Sequence, residues 1–329
     1  MACVSLALDL PRLQTALHTP AQDERQKLLR GLLQPQARID SKYFYDDRGC
    51  ELFTAICKLD EYYPTRTEAA IFTEHRDAIA EHLPARMQWI DLGCGDCGKT
   101  RYWLDAIRPA RLVGVDIAGE FLQSSLAEIA RQHPRLECVG VVTDFTQQLD
   151  LHDLLAERAD SPPVFFYPGS SIGNFEPRDA IRFLRRVRAH CGQHGRLLIG
   201  ADLVKDTDIL EAAYDDASGV TAEFNLNVLS VVNRELDANF DPEKFRHCAR
   251  FDQASRRIEM RLISNQQQRV EFGAHTDRHF RAEEHILTEY SHKYSVDEFR
   301  ALLAASGLRC KQYWTDPQDW FGVFLAEPI

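Results

Sequence analysis

Three glycines, at 93, 95 and 98 of Trp89-Ile-Asp-Leu-Gly-Cys-Gly-Asp-Cys-Gly-Lys-Thr100, stand between an apolar segment and a helix expected to start near Lys99. One strand further on, Leu112-Val-Gly-Val-Asp-Ile117 carries Asp116 at its end. Together they open a βαβ unit. Glycines let the backbone approach a ligand, and an acidic side chain at the tip of the second strand accepts hydrogen bonds from ribose hydroxyls. The spacing suits either a dinucleotide or S-adenosylmethionine, and Asp91 separates the two. A pyrophosphate docked on the helix N-terminus would be opposed by a carboxylate two residues before Gly93, whereas the cationic methionine end of S-adenosylmethionine is suited by one. Two further strand ends carry chemistry. Asp144-Phe145 offers an aromatic face and a carboxylate for an adenine and its exocyclic amine, and Pro168-Gly-Ser-Ser-Ile-Gly-Asn-Phe175 sets two glycines and an amide beside the reacting atoms.

These residues need a frame that brings strand ends together, and the chain supplies an alternating one. From Glu68 to about Leu203 strands are expected at 88–92, 111–117, 137–142, 164–167 and 195–202, separated by amphipathic helices such as 178–190. The region before Thr65 is irregular and rich in Pro, Asp and Tyr. After Lys205 the rhythm changes to helices at 207–216 and 220–236 and strand-like segments at 249–251, 257–263 and 268–272. A helix at 296–306 and strands at 308–315 and 320–326, paired as an antiparallel edge, return the chain to the first sheet. The expected architecture is α/β: a doubly wound, Rossmann-like domain of residues 67–204 and 294–329, plus a discontinuous α+β domain of residues 1–66 and 205–293. Chemistry then belongs in the cleft between them, at the carboxyl ends of the parallel strands.

Composition narrows the partners. The 329 residues carry a formal net charge of −11, which repels nucleic acid and anionic membranes and favours a small neutral or cationic substrate. The nine cysteines, scattered from Cys3 to Cys310, read as free thiols of a reducing cytoplasm. The N-terminus lacks a basic leader and meets Asp9 early, and no apolar run reaches membrane-spanning length. The expected protein is a cytoplasmic monomer without a metal.

Six strings carry a resemblance that runs over nearly the whole chain: Phe44-Tyr-Asp, Glu61-Tyr-Tyr-Pro-Thr-Arg-Thr-Glu68, Gly169-Ser-Ser-Ile-Gly-Asn174, Asp202-Leu-Val-Lys-Asp206, Ala213-Tyr-Asp-Asp216 and Leu287-Thr-Glu-Tyr-Ser-His-Lys293. In this order they resemble the L-histidine Nα-methyltransferase family of ergothioneine biosynthesis. The resemblance implies transfer of three methyl groups from S-adenosylmethionine to the α-amino group of histidine, giving hercynine. It implies cofactor contacts at Gly93, Lys99, Asp116, Asp144 and Phe145. It places the substrate carboxylate at Asn174 and Tyr214, the imidazole at Tyr62, Glu289 and Ser291, and Gly169 and Met260 in the same pocket. Tyr45, near the amine, and Asn174 take the catalytic positions. A neutral imidazole has one donor and one acceptor nitrogen, so a carboxylate paired with a hydroxyl can orient it. The sequence differs from the commoner family strings at Cys94, Asp96 and Cys97, and at Tyr290 and His292.

Plainer readings exist for several of these residues. Cys94 and Cys97 are spaced like a redox dithiol or half a zinc site, but they sit in a glycine turn with no second such pair. His190/His194 and His275/His279 have metal-like spacing and are read as solvated surface. Tyr62 and Tyr63 could staple the N-terminal region to the core. Lys205, Asp206, Asp215 and Asp216 are read as structural ion pairs and caps. A nicotinamide dehydrogenase, a non-catalytic binding protein, and a methyltransferase of the same fold acting on another free amino acid or amine are the rival functions.

Overall fold

The computed structural model describes residues 11–15 and 21–329. In chain order the first elements are β1 (Arg12–Thr15), α1 (Ala21–Leu33), β2 (Ala37–Arg38), α2 (Asp47–Ile56) and α3 (Tyr63–Glu81). The described residues of the region expected to be irregular are therefore largely helical. In α1, Asp23 and Glu24 occupy the first turn and Arg30 the last, where they complement the helix dipole, while Leu28 and Leu32 lie four apart on the buried face.

Strands and helices then alternate as expected: β3 (Gln88–Leu92), α4 (Gly98–Ile107), β4 (Arg111–Asp116), α5 (Gly119–Gln132), β5 (Glu137–Val142), α6 (His152–Ala156), β6 (Pro163–Tyr167), α7 (Pro177–Cys191) and β7 (Arg196–Asp202). β3 to β6 are apolar runs buried on both sides of a sheet, the pattern of parallel strands covered by helices. The excursion that follows holds α8 (Thr207–Tyr214), α9 (Val220–Leu236), β8 (Phe245–Asp252), β9 (Arg257–Ser264), β10 (Gln268–Phe272), β11 (Thr276–Phe280) and β12 (His285–His292). α10 (Val296–Ala305), started by a Ser295–Glu298 capping box, leads into β13 (Leu308–Thr315) and β14 (Phe321–Pro328).

The large sheet has eight strands in the order β1-β5-β4-β3-β6-β7-β14-β13, parallel throughout except for the β14 and β13 edge. The chain order reverses beside β3, so the ends of β3, β4 and β6 form the crevice in which open α/β sheets bind ligands. A second sheet runs β2-β12-β9-β8, and β10 and β11 form a hairpin. Two apolar clusters cover the faces of the large sheet; a third draws on residues 28–63 and 210–286 together. The N-terminal region and the excursion thus share one core.

The boundaries expected at residue 66 need correction. β1 pairs in parallel with β5, Arg12 against Val139 through Thr15 against Val142, so this N-terminal segment belongs to the large sheet. α3 also crosses the division: Tyr63 enters the third cluster, whereas Ile71, Phe72 and Ile79 pack on the large sheet. A single helix can serve two cores because it is long enough for its ends to meet different neighbours.

Candidate active site

The glycine turn lies at the C-terminal end of β3. Gly93 (φ +73°), Gly95 (φ +50°) and Cys97 (φ +54°) are left-handed, and this reverses the chain into α4. Asp116 holds the turn from the end of β4: its carboxylate accepts from the Gly95 N–H at 3.0 Å and the Ala118 N–H at 3.0 Å. Those two bonds use half of a carboxylate's acceptor capacity and leave the rest to the crevice. Next to Asp116, Ile117 and Phe121 are each 48% exposed and form an apolar rim. Phe145 lies over Gly93, its ring 3.5 Å from where a Cβ would stand, and meets Tyr167 edge-on at 5.9 Å. Asp144 is held by Thr146, Gln147 and Lys42; although burial opposes its charge, these partners keep its carboxyl below the usual value.

Asp91 plays a different part from the one expected. It is 2% exposed and accepts from the Thr100 hydroxyl at 2.7 Å, which in turn accepts from the Trp89 indole at 2.9 Å. Burial pushes its carboxyl up to about 7. A carboxylate so placed tethers the first turn of α4 beneath the loop. Cys94 and Cys97 face each other with sulfurs 3.0 Å apart, both buried. The contact with Cys97 and burial push the Cys94 thiol well above its ordinary value, far from the thiolate that redox or zinc chemistry needs.

Lys99 bridges this loop to the second part of the site. Its ammonium is 2.6 Å from Glu68, which is 1% exposed and also accepts from the Gly169 N–H at 2.7 Å. Gly169 lines a pocket with Tyr45, Tyr62, Asn174, Tyr214, Met260, Glu289 and Ser291, bringing together all the residues expected at the substrate. Phe53, Phe224 and Thr221, which sequence reading passed over, line it too. The aromatic rings form a connected wall: Phe53 contacts Tyr45 at 5.7 Å and Tyr62 at 6.3 Å, and Tyr62 contacts Tyr214 at 6.2 Å. Tyr45 remains 42% exposed, so it forms the mouth of the pocket.

Local structure aims these groups. The 3-10 turn Ser171–Asn174 follows β6, and Gly173 lets it press on β12, since a Cβ there would lie 2.8 Å from the His292 carbonyl oxygen. Asn174 consequently points at Glu289, to which its amide donates at 3.4 Å. Along β12, Glu289 and Ser291 fall on one face because strand side chains alternate. Withdrawal from solvent pushes the Glu289 carboxyl up to about 7, against the pull of the Lys293 ammonium. α8 begins on Asp206, which caps the Asp208 N–H, and delivers Tyr214 at its end; Asp216 accepts from the Val220 and Thr221 N–H groups and starts α9.

Behind the pocket lies a charged core in which Lys205 makes the structural ion pair expected of it, and to which Asp202 and Lys293 were not assigned. Asp202, 1% exposed, lies 2.6 Å from both Lys205 and Lys293 and accepts from the Tyr63 hydroxyl at 2.7 Å. One carboxylate thus faces two buried ammoniums. Burial lowers Lys205 to about 8, whereas Asp202 and Tyr214 outweigh burial at Lys293 and hold it above its ordinary value. The signal for this core was present in Asp202-Leu-Val-Lys and in Lys293, charges within apolar strand ends, where burial demands a partner.

The histidine pairs divide. His275 and His279 are exposed, as is His194, but His190 is 7% exposed, packs tilted against His152 with ring centroids 4.1 Å apart and bonds the Leu149 carbonyl at 3.0 Å. The last turn of α7 folds it inward onto α6. Among the described residues no group of His, Cys, Asp or Glu is placed to hold a metal ion. None of the described helices is long and apolar enough to cross a membrane. Cys3 lies outside the described residues.

A family described as "Histidine-specific methyltransferase, SAM-dependent" matches residues 24–328. Histidine N-alpha-methyltransferase of Mycolicibacterium smegmatis is 39% identical over 316 residues, covering 94% of this chain and 97% of that protein. The protein of the same description from Mycobacterium tuberculosis is 39% identical over 307 residues, 92% and 94% of the two chains. Ergothioneine biosynthesis protein 1 of Neurospora crassa is 29% identical over 303 residues, 86% of this chain but 32% of that longer one.

Proposed function

The chain belongs to the histidine-specific, S-adenosylmethionine-dependent methyltransferase family, and on that premise we propose that it methylates the α-amino group of L-histidine three times, forming hercynine for ergothioneine biosynthesis. The observation that carries the reading is the convergence of a carboxylate, a hydroxyl, an amide and an aromatic wall on one pocket that is linked to the glycine loop through Gly169, Glu68 and Lys99.

The loop fits S-adenosylmethionine. Gly95 has nothing within 4 Å of the place a Cβ would take, Asp116 retains free acceptor capacity for a ribose, and Ile117 and Phe121 supply apolar surface for an adenine. We assign Gly93, Lys99, Asp116, Asp144 and Phe145 to this subsite. Bound there, S-adenosylmethionine supplies an electrophilic methyl group on a sulfonium.

The chain's own residues then have three tasks. Glu289 and Ser291 orient the imidazole, Tyr62 and Met260 close around it, and the Asn174 amide, with Tyr214 beside it, donates toward the carboxylate. This directs the amine past Gly169 toward the loop. Holding two reactants in line contributes on the order of 7 to 11 kcal/mol. The amine must lose its proton before attack. A phenol stays protonated at neutral pH, so Tyr45 at the exposed mouth serves as a relay that hands one hydrogen to solvent as it receives another from the amine. A quaternary ammonium has no N–H to donate, so the Tyr45, Phe53, Phe224 and Tyr62 rings hold the late products by cation–π attraction.

In this reading residues 67–204 and 294–329 form the cofactor domain, with β1 added to it. Residues 205–293 and the rest of the first 66 form the substrate domain. The test is incubation of the purified chain with S-adenosylmethionine and a panel of free amino acids and amines. Mono-, di- and trimethylated histidine should appear in turn, with one S-adenosylhomocysteine released per methyl. Preferential methylation of another amine would replace histidine as the substrate.

A further inference from the structure

Lys293 lies just past the end of β12, two residues beyond Ser291 and four beyond Glu289, so the three polar groups share one face of the chain. Its side chain is fully buried. An ammonium has three hydrogens to donate, and all three are spent: on Asp202 at 2.6 Å, on the Tyr214 oxygen at 3.0 Å and on the Ser291 oxygen at 2.8 Å. The two hydroxyls are also 2.8 Å from each other, so one gives its hydrogen to the other.

Relative acidity sets the direction of that bond. A phenol is a stronger acid than an aliphatic alcohol, and the Lys293 ammonium polarises it further, so Tyr214 donates to Ser291. Ser291 then accepts twice, from Lys293 and from Tyr214, and both its lone pairs are filled. Its one unspent atom is its own hydrogen. With Tyr214's hydrogen used internally, the Asn174 amide still has a hydrogen to give to a substrate carboxylate.

We propose that Lys293 is a positioning residue that fixes the Ser291 hydroxyl as an obligate donor into the pocket and thereby selects a single neutral tautomer of the substrate imidazole. The proposal rests on the assignment of the pocket to histidine. The ring nitrogen facing Ser291 must accept, so it carries no hydrogen; above about pH 7, where Glu289 is a carboxylate and only accepts, the nitrogen facing it must donate, so it carries one. A neutral imidazole meets both demands in one tautomer, while an imidazolium presents a second N–H to a hydroxyl that has no lone pair to receive it. Asp202 keeps the arrangement polarised by holding Lys293 as a cation, and Lys205 remains as a second cation for Asp202 if Lys293 is removed.

The test is nitrogen NMR of imidazole-15N-histidine bound to the full chain with S-adenosylhomocysteine, compared with Lys293→Met and Lys293→Gln. The native protein should show one pyrrole-like and one pyridine-like nitrogen. In Lys293→Met the two signals should move toward each other as Ser291 regains a free lone pair, histidine should bind at least tenfold more weakly, and S-adenosylhomocysteine affinity should stay within twofold. Lys293→Gln, which keeps a donor, should recover part of the affinity and of the signal separation. A native spectrum with both nitrogens protonated, or with averaged tautomers, overturns the proposal even if no variant folds. So does an unchanged tautomer in a folded Lys293→Met. Failure of the native chain to bind histidine would overturn the pocket assignment together with it, whereas histidine bound in mixed tautomers would overturn this inference alone.

Discussion

Of the subsite that we assign to the cofactor, Gly93, Lys99 and Asp116 come from the single stretch 93–116, and Asp144 and Phe145 follow the next strand; the amino-acid pocket draws on Tyr45, Tyr62, Asn174, Tyr214 and Glu289, which lie in five separate stretches of chain. The first presents backbone N–H groups and an acidic tip. The second is backed by a buried network of Asp202, Lys205, Lys293, Tyr63, Tyr214 and Ser291. A local turn can be positioned by its own dihedral angles and one carboxylate. A pocket gathered from distant segments needs a scaffold that fixes several of them at once, and here that scaffold is ionic. Damage to the network should therefore spread to stability and to the pocket, while damage to the loop should stay with the cofactor.

The largest effect tests the network. Asp202→Asn leaves Lys205 and Lys293 without their carboxylate in a dry site, and breaking a buried ion pair typically costs about 3 to 5 kcal/mol. Urea unfolding should show a loss in that range, and whatever folded protein remains should bind histidine poorly. A loss under about 1 kcal/mol would mean that water or rearrangement satisfies the two cations and that the pocket does not depend on them.

On the loop side, Asp116→Ala should weaken S-adenosylhomocysteine by about 1.5 to 3 kcal/mol, the range for lost charge-assisted hydrogen bonds. Titration calorimetry measures it directly. Unchanged affinity would remove Asp116 from the site and erase the contrast between the two regions.

Glu289 sharpens the comparison through pH. Its carboxyl is raised from 4.5 to about 7 in the folded chain, so the folded state holds the proton more tightly than the unfolded one. The associated stability is present below about pH 4.5 and is lost as pH rises through about 7. Discounted for partial exposure, the loss is about 2 kcal/mol. Glu289→Gln should not show it. The stability of the variant relative to the native chain should rise by that amount between pH 5 and pH 8, while its discrimination of histidine over leucine falls. Parallel stability profiles for the two proteins would show that Glu289 is ionised at no cost, and an unchanged preference for histidine would release it from the imidazole.

The two regions also differed in how far they could be read from sequence. β3, β5, β10 and α9 lie at the bounds expected for them, because each is an apolar or periodic run closed by Gly, Pro or polar residues. β1 was missed since Arg-Leu-Gln-Thr has no strand signature of its own and exists as a strand only through its partner β5. α1 and α2 were passed over where Pro, Asp and Tyr suggested loops, although Asp23 and Asp47 lie in the first turns of these helices, where a carboxylate complements the dipole. The glycine loop was legible because spacing along the chain is its geometry. Tyr62, Met260 and Ser291 became candidates through family resemblance alone, since nothing local marks residues that meet only after two sheets have formed. Asp202 and Lys293 were quoted within motifs, yet their contact, across most of the excursion, is invisible to any short window.

The smallest effect separates two reasons for a glycine in the loop. Gly95 sits at φ +50°, where a Cβ costs roughly 1 kcal/mol, but Cys97 shows that this loop accepts a side chain at φ +54°. A Cβ at Gly95 would meet no protein atom within 4 Å, so the space around it is open to a ligand. Gly95→Ala should then lower unfolding stability by about 1 kcal/mol and weaken S-adenosylhomocysteine as well, with histidine affinity changed only through that linkage. Gly95→Asn divides the two causes, because Asn tolerates the left-handed conformation better than Ala yet carries more bulk. Its stability should return toward the native value while its cofactor affinity falls below that of Gly95→Ala. If affinity instead recovers along with stability, the glycine serves the turn and not the approach of the ligand, and the open space belongs to neither region.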